Sequence, residues 1–430
     1  MRIYIQTFSI IGLFLLASCK SDTEKKMEKT NEVQQQKVHT GDTVMTAVGE
    51  LILAAPYATE SVAKQNTLVD WPENTLPTAP EGFIVTKYAD GFDNPRWSYY
   101  GPNGDLFVSE ASTGKSSGKI SVLRDKNNDG KFEVRETFLE GLNQPFGMLI
   151  IDNFFYVANT DGLYKYPYKT NQTSLKNVKG EKIVSLPAGG YNNHWTRNII
   201  TNAAQDKIYI SVGSASNVSE HGMEEEIRRA NILVVNLDGT DEKIYASGLR
   251  NPVGMDWNPV NGELWSAINE RDELGDELVP DYATSVKEGG FYGWPYAYFG
   301  QIEDPRLEGK APELVAKSIV PDVPLGPHTA SLGFAFYDAK AFPEKYRNGA
   351  FVGQHGSWNR SILSGYKVVF IPFENGAPKQ PEDFLTGFIA DKDGTDVYGR
   401  PVAVTVTPQG DLLVNDDSGN TIWKVSYKRK

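Results

Sequence analysis

The chain of 430 residues contains one cysteine, Cys19. Without a second thiol it has no disulfide framework, no cysteine zinc site, no iron–sulfur cluster and no thioether haem attachment. Positive charge is scarce too. Forty-three Lys plus Arg face 55 Asp plus Glu, a formal net charge of −12. Binding along a nucleic-acid backbone needs a basic footprint, so no nucleic acid is expected as a partner. Long apolar runs are missing: the one from Phe8 to Ala17 is too short to cross a bilayer. The long helical patterns that parallel βαβ units would need are missing as well.

That short run opens what is present. Arg2 is the only charge before Lys20, and the run ends Leu16-Ala17-Ser18-Cys19. This resembles a bacterial lipoprotein signal, with residues 1–18 as the signal peptide and Cys19 as the lipidated residue. Each buried methylene of an acyl chain on Cys19 would contribute ~0.8 kcal/mol to a membrane anchor. The expected location is the bacterial cell envelope, as a periplasmic or outer-membrane lipoprotein. Residues 19–66 read as a lipid-anchored linker, because the first part is Lys, Glu, Gln, Asn and Thr with little apolar content. The folded domain is expected over 67–430. Its first stretch, with Pro72, Pro77 and Pro80, should lie extended across the rest.

From Pro80 onward one pattern recurs six times: polar loop, apolar strand, turn, second apolar strand. The second strands begin near Asp105 (DLFVSE), Asn153 (NFFYVAN), Lys207 (KIYISVG), Glu263 (ELWSAIN), Ala350 (AFVGQHG) and Asp411 (DLLVNDD). They are rich in β-branched and aromatic residues and follow Asn-Gly, Asn-Asp or Gln-Gly turns. Forty Gly, 24 Pro and 11% aromatics fit many short strands joined by tight turns. The expected fold is all-β, a six-bladed β-propeller whose closure leaves only short strand edges.

In a propeller, the loop leading into a blade's innermost strand and the loop leaving its second strand open on one face. The inward loops hold Asn94-Pro95-Arg96, Gln144-Pro145, Asn193-His194, Arg250-Asn251-Pro252, His328 and Gly399-Arg400-Pro401. The outward loops hold Glu110, Asn159, Asp161, Ser214 to Asn217, Asn269 to Asp276, His355 to Arg360 and Asp416-Asp417. Arg197, Arg250, Arg271, Arg360 and Arg400 therefore gather at one mouth. Such a cluster suits an anionic, planar ligand, since guanidinium groups pair carboxylates bidentately and stack on rings. Each arginine could instead tie two loops together.

These loops resemble the glucose/sorbosone dehydrogenase family of pyrroloquinoline quinone enzymes, in particular its sorbosone-dehydrogenase-like branch. The matching stretches are PFGM (Pro145 to Met148), NNHWTR (Asn192 to Arg197), VGSASN (Val212 to Asn217) and SGLRNPVGM (Ser247 to Met255). They continue with NERDELGDELVPDY (Asn269 to Tyr282), GGFYGWPY (Gly289 to Tyr296), ASLGFAFY (Ala330 to Tyr337), GQHGSWNRS (Gly353 to Ser361) and YGRPV (Tyr398 to Val402). The resemblance implies oxidation of an aldose or related sugar aldehyde, with hydride passing to the quinone and electrons to a separate acceptor, a cytochrome or quinone. His194 matches the catalytic base, a role suited to imidazole. Arg250 and Asn251 match the pair that contacts the quinone oxygens, and Arg400 another cofactor contact. His355 and Arg360 stand where the family often carries a lysine. Gln144, Arg197 and His328, in loops at the same mouth, complete the expected cofactor set.

The resemblance also implies a calcium ion in the loop from Asn269 to Glu277. Two backbone carbonyls, of Arg271 and Asp272, and the acidic side chains Asp276 and Glu277 would ligate it, oxygen donors that suit a hard cation. Other members have Gly-Pro where this chain has Arg271-Asp272. A second calcium candidate is independent: Asp125, Asn127, Asp129, Gly130 and Glu136 fit D-x-N-x-D-G-x5-E, though flanked by strands. Two other functions stay open. Glu110, Asn159, Asn251 and Asp416 could ring a channel metal in a lactonase-type hydrolase, or the propeller could bind sugar without turnover. Trp195, Trp294, Trp358 and Tyr292 could stack on a sugar ring or simply pack.

Overall fold

The computed structural model describes residues 40–428, apart from 115, 116, 128 and 392. The expected signal peptide, Cys19 and the first part of the expected linker lie outside the described residues. Among the described residues no helix is long and apolar enough to cross a membrane.

The second strands of the six repeats form as expected: Leu106–Glu110, Phe154–Asn159, Lys207–Val212, Leu264–Ile268, Ala350–Gln354 and Leu412–Asp416. Each is the second strand of a four-stranded antiparallel sheet, and the six sheets are the blades of a propeller. We number the blades 1 to 6 in that order. Both faces of such a strand are covered by neighbouring blades, which is why these segments read as continuous apolar runs. Phe107 of blade 1 packs with Phe138, Phe146 and Phe155 toward blade 2. Its neighbours in sequence, Leu106 and Val108, pack with Leu413 and Ile422 of blade 6. Six hydrophobic clusters fill the six interfaces between blades in this way. Each fully buried large apolar side chain contributes ~1.5–3 kcal/mol. The outermost strands Glu181–Ser185, Lys243–Ser247 and Glu382–Leu385 are short and begin with exposed charged residues, which blunts their edges.

Blade 6 is built from both ends of the domain. Strands Pro401–Val406, Leu412–Asp416 and Thr421–Tyr427 come from the C-terminal end, and Phe83–Asp90 supplies the outer edge. Phe83–Asp90 pairs antiparallel with Thr421–Tyr427 along its whole length. The preceding segment lies extended across blades 5 and 6, as its prolines suggested. Thr67–Leu68 pairs with Asp396–Val397, and Trp71 stacks on Tyr398 with ring centroids 4.7 Å apart.

Part of the stretch expected as a linker over 19–66 is folded. Thr40–Thr46 and Gly49–Ala54 form an antiparallel hairpin. Leu53 enters the core between blades 3 and 4, and Ala47 donates its N–H to Asp322 O at 3.1 Å. Alternating apolar residues in VMTAVGELIL carry the hairpin, masked in sequence by the polar stretch before it. Residues 55–66 then run as a strap over loops of blades 4, 5 and 6.

Candidate active site at the mouth of the propeller

Three blades begin their innermost strand on a proline: Pro95, Pro252 and Pro401. The first position of a strand tolerates a residue with no N–H to pair. In each case an arginine stands within two residues, and Arg96, Arg250 and Arg400 all line one cavity of about 200 Å³ at the mouth of the channel. His194, Asn251, Asp272, His328, His355 and Trp358 also line it.

His194 sits in the loop leading into blade 3. Its Nδ1 lies 2.9 Å from both Ser214 O and Ser214 Oγ. A carbonyl can only accept, so Nδ1 carries the proton and Nε2 is left with a bare lone pair. Nε2 has no partner among the described residues. Burial and the nearby Arg250 cation lower the imidazole from its ordinary value to about 3, so it is neutral in use. Arg197 donates to His194 O at 2.7 Å, Thr196 O at 2.8 Å and Pro187 O at 2.7 Å. It is wholly buried behind the loop and fixes the backbone that presents His194.

On the opposite wall, His355 Nε2 lies 2.7 Å from Asp417 Oδ1, and Arg96 Nη1 is paired with Asp417 Oδ2. Burial, then the Arg400 charge, lower His355 to about 3, so it is a neutral ring donating to a carboxylate. Burial alone would raise the Asp417 carboxyl, but His355 and Arg96 hold it far below its ordinary value. Arg96 keeps donors in reserve: Nε is buried with no acceptor, and its guanidinium lies 5.3 Å from the Trp195 ring centroid. Arg400 gives Nε to His355 O at 2.9 Å and Nη2 to Gly356 O at 3.1 Å, leaving Nη1 without an acceptor among the described residues. In the sequence Arg96 reads only as part of a loop. Its likeness to the Arg250-Asn251-Pro252 and Gly399-Arg400-Pro401 loops was the signal that could have found it.

Arg250 is built differently. Its N–H groups go to Asn217 O, Asn269 O, Glu270 O, Asn217 Oδ1 and Asp272 Oδ2, at 3.1, 3.3, 2.5, 2.9 and 3.1 Å. Every donor is engaged, so Arg250 brings positive potential to the cavity rather than a free hydrogen bond. Asp272 also meets His328 Nδ1 at 3.2 Å, and His328 Nε2 lies 2.8 Å from Gly275 O. Two acceptors on two ring nitrogens make His328 a cation. Burial would lower its pKa, but the bond and charge of Asp272 raise it above the usual histidine value. Asn251 Oδ1 is buried with no hydrogen-bond partner and lies against Gly213, beside His194.

The remaining expected site residues lie elsewhere. Gln144 donates to Ser112 O at 3.0 Å and does not line the cavity. Arg271 is buried against Glu270 and Asp304, at 2.9 and 3.2 Å, and braces Pro295 O and Ala297 O in the insertion of blade 4. Arg360 pairs with Glu277, and Asp276 accepts from Ser361, both at the rim. The calcium ligand set expected there is not assembled. Asp272 O already accepts from Arg306 at 3.0 Å and Asn217 at 3.1 Å, and the Asp276 and Glu277 side chains face blade 5. Among the described residues no three His, Cys, Asp or Glu side chains are grouped to hold a metal.

The loop from Asp125 joins the two outer strands of blade 1, away from the mouth. Its carboxylates accept backbone N–H groups, Gly130 to Asp125 at 2.9 Å and Lys131 to Asp129 at 2.8 Å, while Asn128 lies outside the described residues. Of the four residues that could ring a channel metal, only Asn251 lines the cavity. Glu110 accepts from Asp93 N at 2.7 Å, and Asp416 from Arg400 N at 2.8 Å. Trp294 and Tyr292 are buried packing residues, Trp195 is a buried wall, and Trp358 is 40% exposed at the rim.

The family model described as TrAA12-like matches residues 77–288 and 313–428. A pyrroloquinoline quinone-dependent sugar dehydrogenase of Hypocrea jecorina is 22% identical over 414 residues, 85% of this chain and 92% of that one. The fold is shared with the pyrroloquinoline quinone domain of pyranose dehydrogenase from Coprinopsis cinerea, in holo form. The TM-score is 0.69 at 18% identity, over 85% of this chain and 100% of that one. It is shared too with a calcium structure of a Trichoderma reesei family AA12 enzyme, with a TM-score of 0.68 at 21% identity, over 82% and 97%. Matched over most of its length, this chain belongs to the TrAA12-like family, the group of pyrroloquinoline quinone sugar dehydrogenases that its motifs resemble.

Proposed function

We propose that the chain oxidises an aldose or related sugar aldehyde, with pyrroloquinoline quinone held in the mouth cavity and His194 as the base. The observation that carries this reading is the His194 lone pair, fixed by Ser214 and aimed into a cavity walled by Arg96, Arg250 and Arg400. The residues fit a planar tricarboxylate. Arg96 and Arg400 retain free donors for carboxylates, and the buried Asn251 Oδ1 and Arg96 Nε still lack partners. When bound, the quinone supplies a carbon that accepts hydride. His194 Nε2 takes the proton of the sugar hydroxyl, and the Nδ1–H bond to Ser214 keeps the ring in the right tautomer. Arg250 and the His328 cation lend positive potential where negative charge develops. Trp195 and Trp358 limit water at the mouth. No step is assigned to calcium, because the expected ligands are otherwise engaged. Electrons leave to a separate acceptor, and Cys19 would hold the enzyme at the cell envelope.

Purified protein titrated with the quinone should change its absorbance and then reduce a dye when given sugars. His194→Ala should still bind the quinone but lose ~10²–10⁴-fold in turnover, the usual range for a general base. Unchanged turnover in that variant removes His194 from the chemistry, and no quinone binding at all ends the reading.

A further inference from the structure

The loop leaving the second strand of blade 3 carries four glutamates, and one of them is out of water. Glu220 and Glu224 are exposed and Glu225 is half-buried, whereas Glu226 is 5% exposed. It does not line the cavity and takes no direct part in the chemistry there. A carboxylate leaves water only where other donors replace it. Glu226 has three: Ala215 N–H to Oε2 at 2.7 Å, Ser216 N–H to Oε1 at 3.0 Å, and the Ser216 hydroxyl to Oε1 at 2.5 Å. All come from one turn of the same loop. Burial raises the carboxyl pKa, and these bonds, with the Arg229 charge, work against the rise.

The turn so clamped is the seat of the base. Ser214 stands at its head, with both its carbonyl and its hydroxyl 2.9 Å from His194 Nδ1. The Ser214 hydroxyl spends its proton on Ser216 O at 2.6 Å. It therefore offers Nδ1 a lone pair and has no second proton to donate there. Ser214 and Ser216 are wholly buried, so water does not replace these partners. The turn is stitched to the cavity wall as well: Ser214 N–H donates to Arg250 O and Asn193 N–H to Ala215 O, both at 2.8 Å. We propose that Glu226 is a positioning residue: by clamping Ala215 and Ser216 it keeps the Ser214 hydroxyl turned to Ser216 O, and so keeps the His194 proton on Nδ1. This rests on the function proposed above, in which Nε2 must be bare to take the sugar hydroxyl proton. With the clamp loosened, the Ser214 hydroxyl is free to rotate and donate to Nδ1. The imidazole proton then sits on Nε2, and the base has no lone pair for the sugar.

The test uses the full chain with isotope-labelled histidine, whose ring-nitrogen resonances separate a protonated nitrogen from a bare one. Signals missing in His194→Ala identify His194. Without quinone, the parent should show His194 protonated at Nδ1. Glu226→Gln sets an amide NH2 against either the Ala215 N–H or the Ser216 donors, so one side of the clamp is lost. A second His194 species, protonated at Nε2, should appear in that variant. Loaded with the quinone, it should lose at least ~10-fold in kcat for sugar-driven dye reduction, the low end of what removing an outer partner of a working imidazole costs. Sugar KM and quinone Kd should stay as in the parent. Ser216→Ala removes only the hydroxyl link and should move both readouts the same way, by less. Glu224→Gln, on the exposed side of the loop, should match the parent.

A Glu226→Gln protein with the parent's tautomer, or with the parent's kcat, overturns the proposal. A loss confined to KM or to the quinone Kd overturns it too. So does a lowered melting temperature alone, which would make Glu226 a brace for the loop and nothing more. If Glu226→Gln does not fold, Ser216→Ala decides, and a parent-like tautomer and kcat there overturn it. A parent that never reduces dye sinks the sugar oxidation reading instead, while the His194 tautomer in the variants still decides the role of Glu226.

Discussion

His194 and His355 face each other across one cavity, both neutral, each anchored through one nitrogen. Sequence brought them there, but only the partners tell them apart: Ser214 holds one as an acceptor, and Asp417 holds the other in an ion-pair network. The arginines teach the same lesson. Position in a loop was legible for all five, yet the acceptors each one meets decide its use. Arg271 is claimed by Asp304, 33 residues on, and Arg197 by the carbonyls of its own loop. Arg400 remains available, and Arg96 joins it unanticipated. A rate prediction follows at this scale. A free imidazole titrates at ~6.5, and its protonated form cannot act as a base. With the His194 value lowered to about 3, the neutral form persists as pH falls through 6.5. The acid limb of kcat/KM for sugar oxidation should therefore lie well below pH 5. A limb centred near 6.5 that is lost when His194 is substituted would refute this. Arg400→Gln should raise the quinone Kd at least ~10-fold, about 1.4 kcal/mol, measured by absorbance titration. An unchanged Kd would leave Arg400 tying loops only.

The blade strands were readable because burial on both faces leaves an unbroken apolar run, and the turns before them carry glycine and asparagine. The strap over 55–66 was not readable. Its hold is made by backbone and small polar groups reaching loops more than 200 residues away, which leave no periodicity. Gly275 donates to Ser61 Oγ at 3.2 Å and Asp276 to Thr59 Oγ1 at 2.7 Å. Lys64 donates its N–H to Trp358 O at 2.7 Å and its ammonium to Ser361 O at 2.9 Å. Asn359 joins the parts, giving Nδ2 to Val62 O at 3.1 Å and accepting from Glu273 N at 2.8 Å. The strap thus fixes the rim that carries Asp272 and Trp358. Asn359→Ala strands two backbone groups, a loss of ~1–3 kcal/mol for a buried pair. It should lower the melting temperature, expose residues 55–66 to protease, and raise KM for sugar more than it lowers kcat. A parent-like melting temperature and KM together would show that the strap is ornamental.

At the scale of the whole molecule the ring is held shut by one antiparallel pair, Phe83–Asp90 on Thr421–Tyr427. Cores between blades are continuous around the ring, so opening one seam weakens its neighbours as well. Deleting residues 83–90 should abolish the cooperative transition seen by calorimetry. Deleting the hairpin over 40–54 should lower that transition but keep it. A sharp transition surviving in the first variant would contradict the seam. The arrangement also orders events in time. The first blade strand to leave the ribosome is the last to find its mate, so every shorter nascent chain displays a raw edge and an uncovered flank. Completeness of synthesis is thereby written into the fold: a prematurely ended copy stays visibly unfinished to the cell's proteases, and only a whole one can hide its ends.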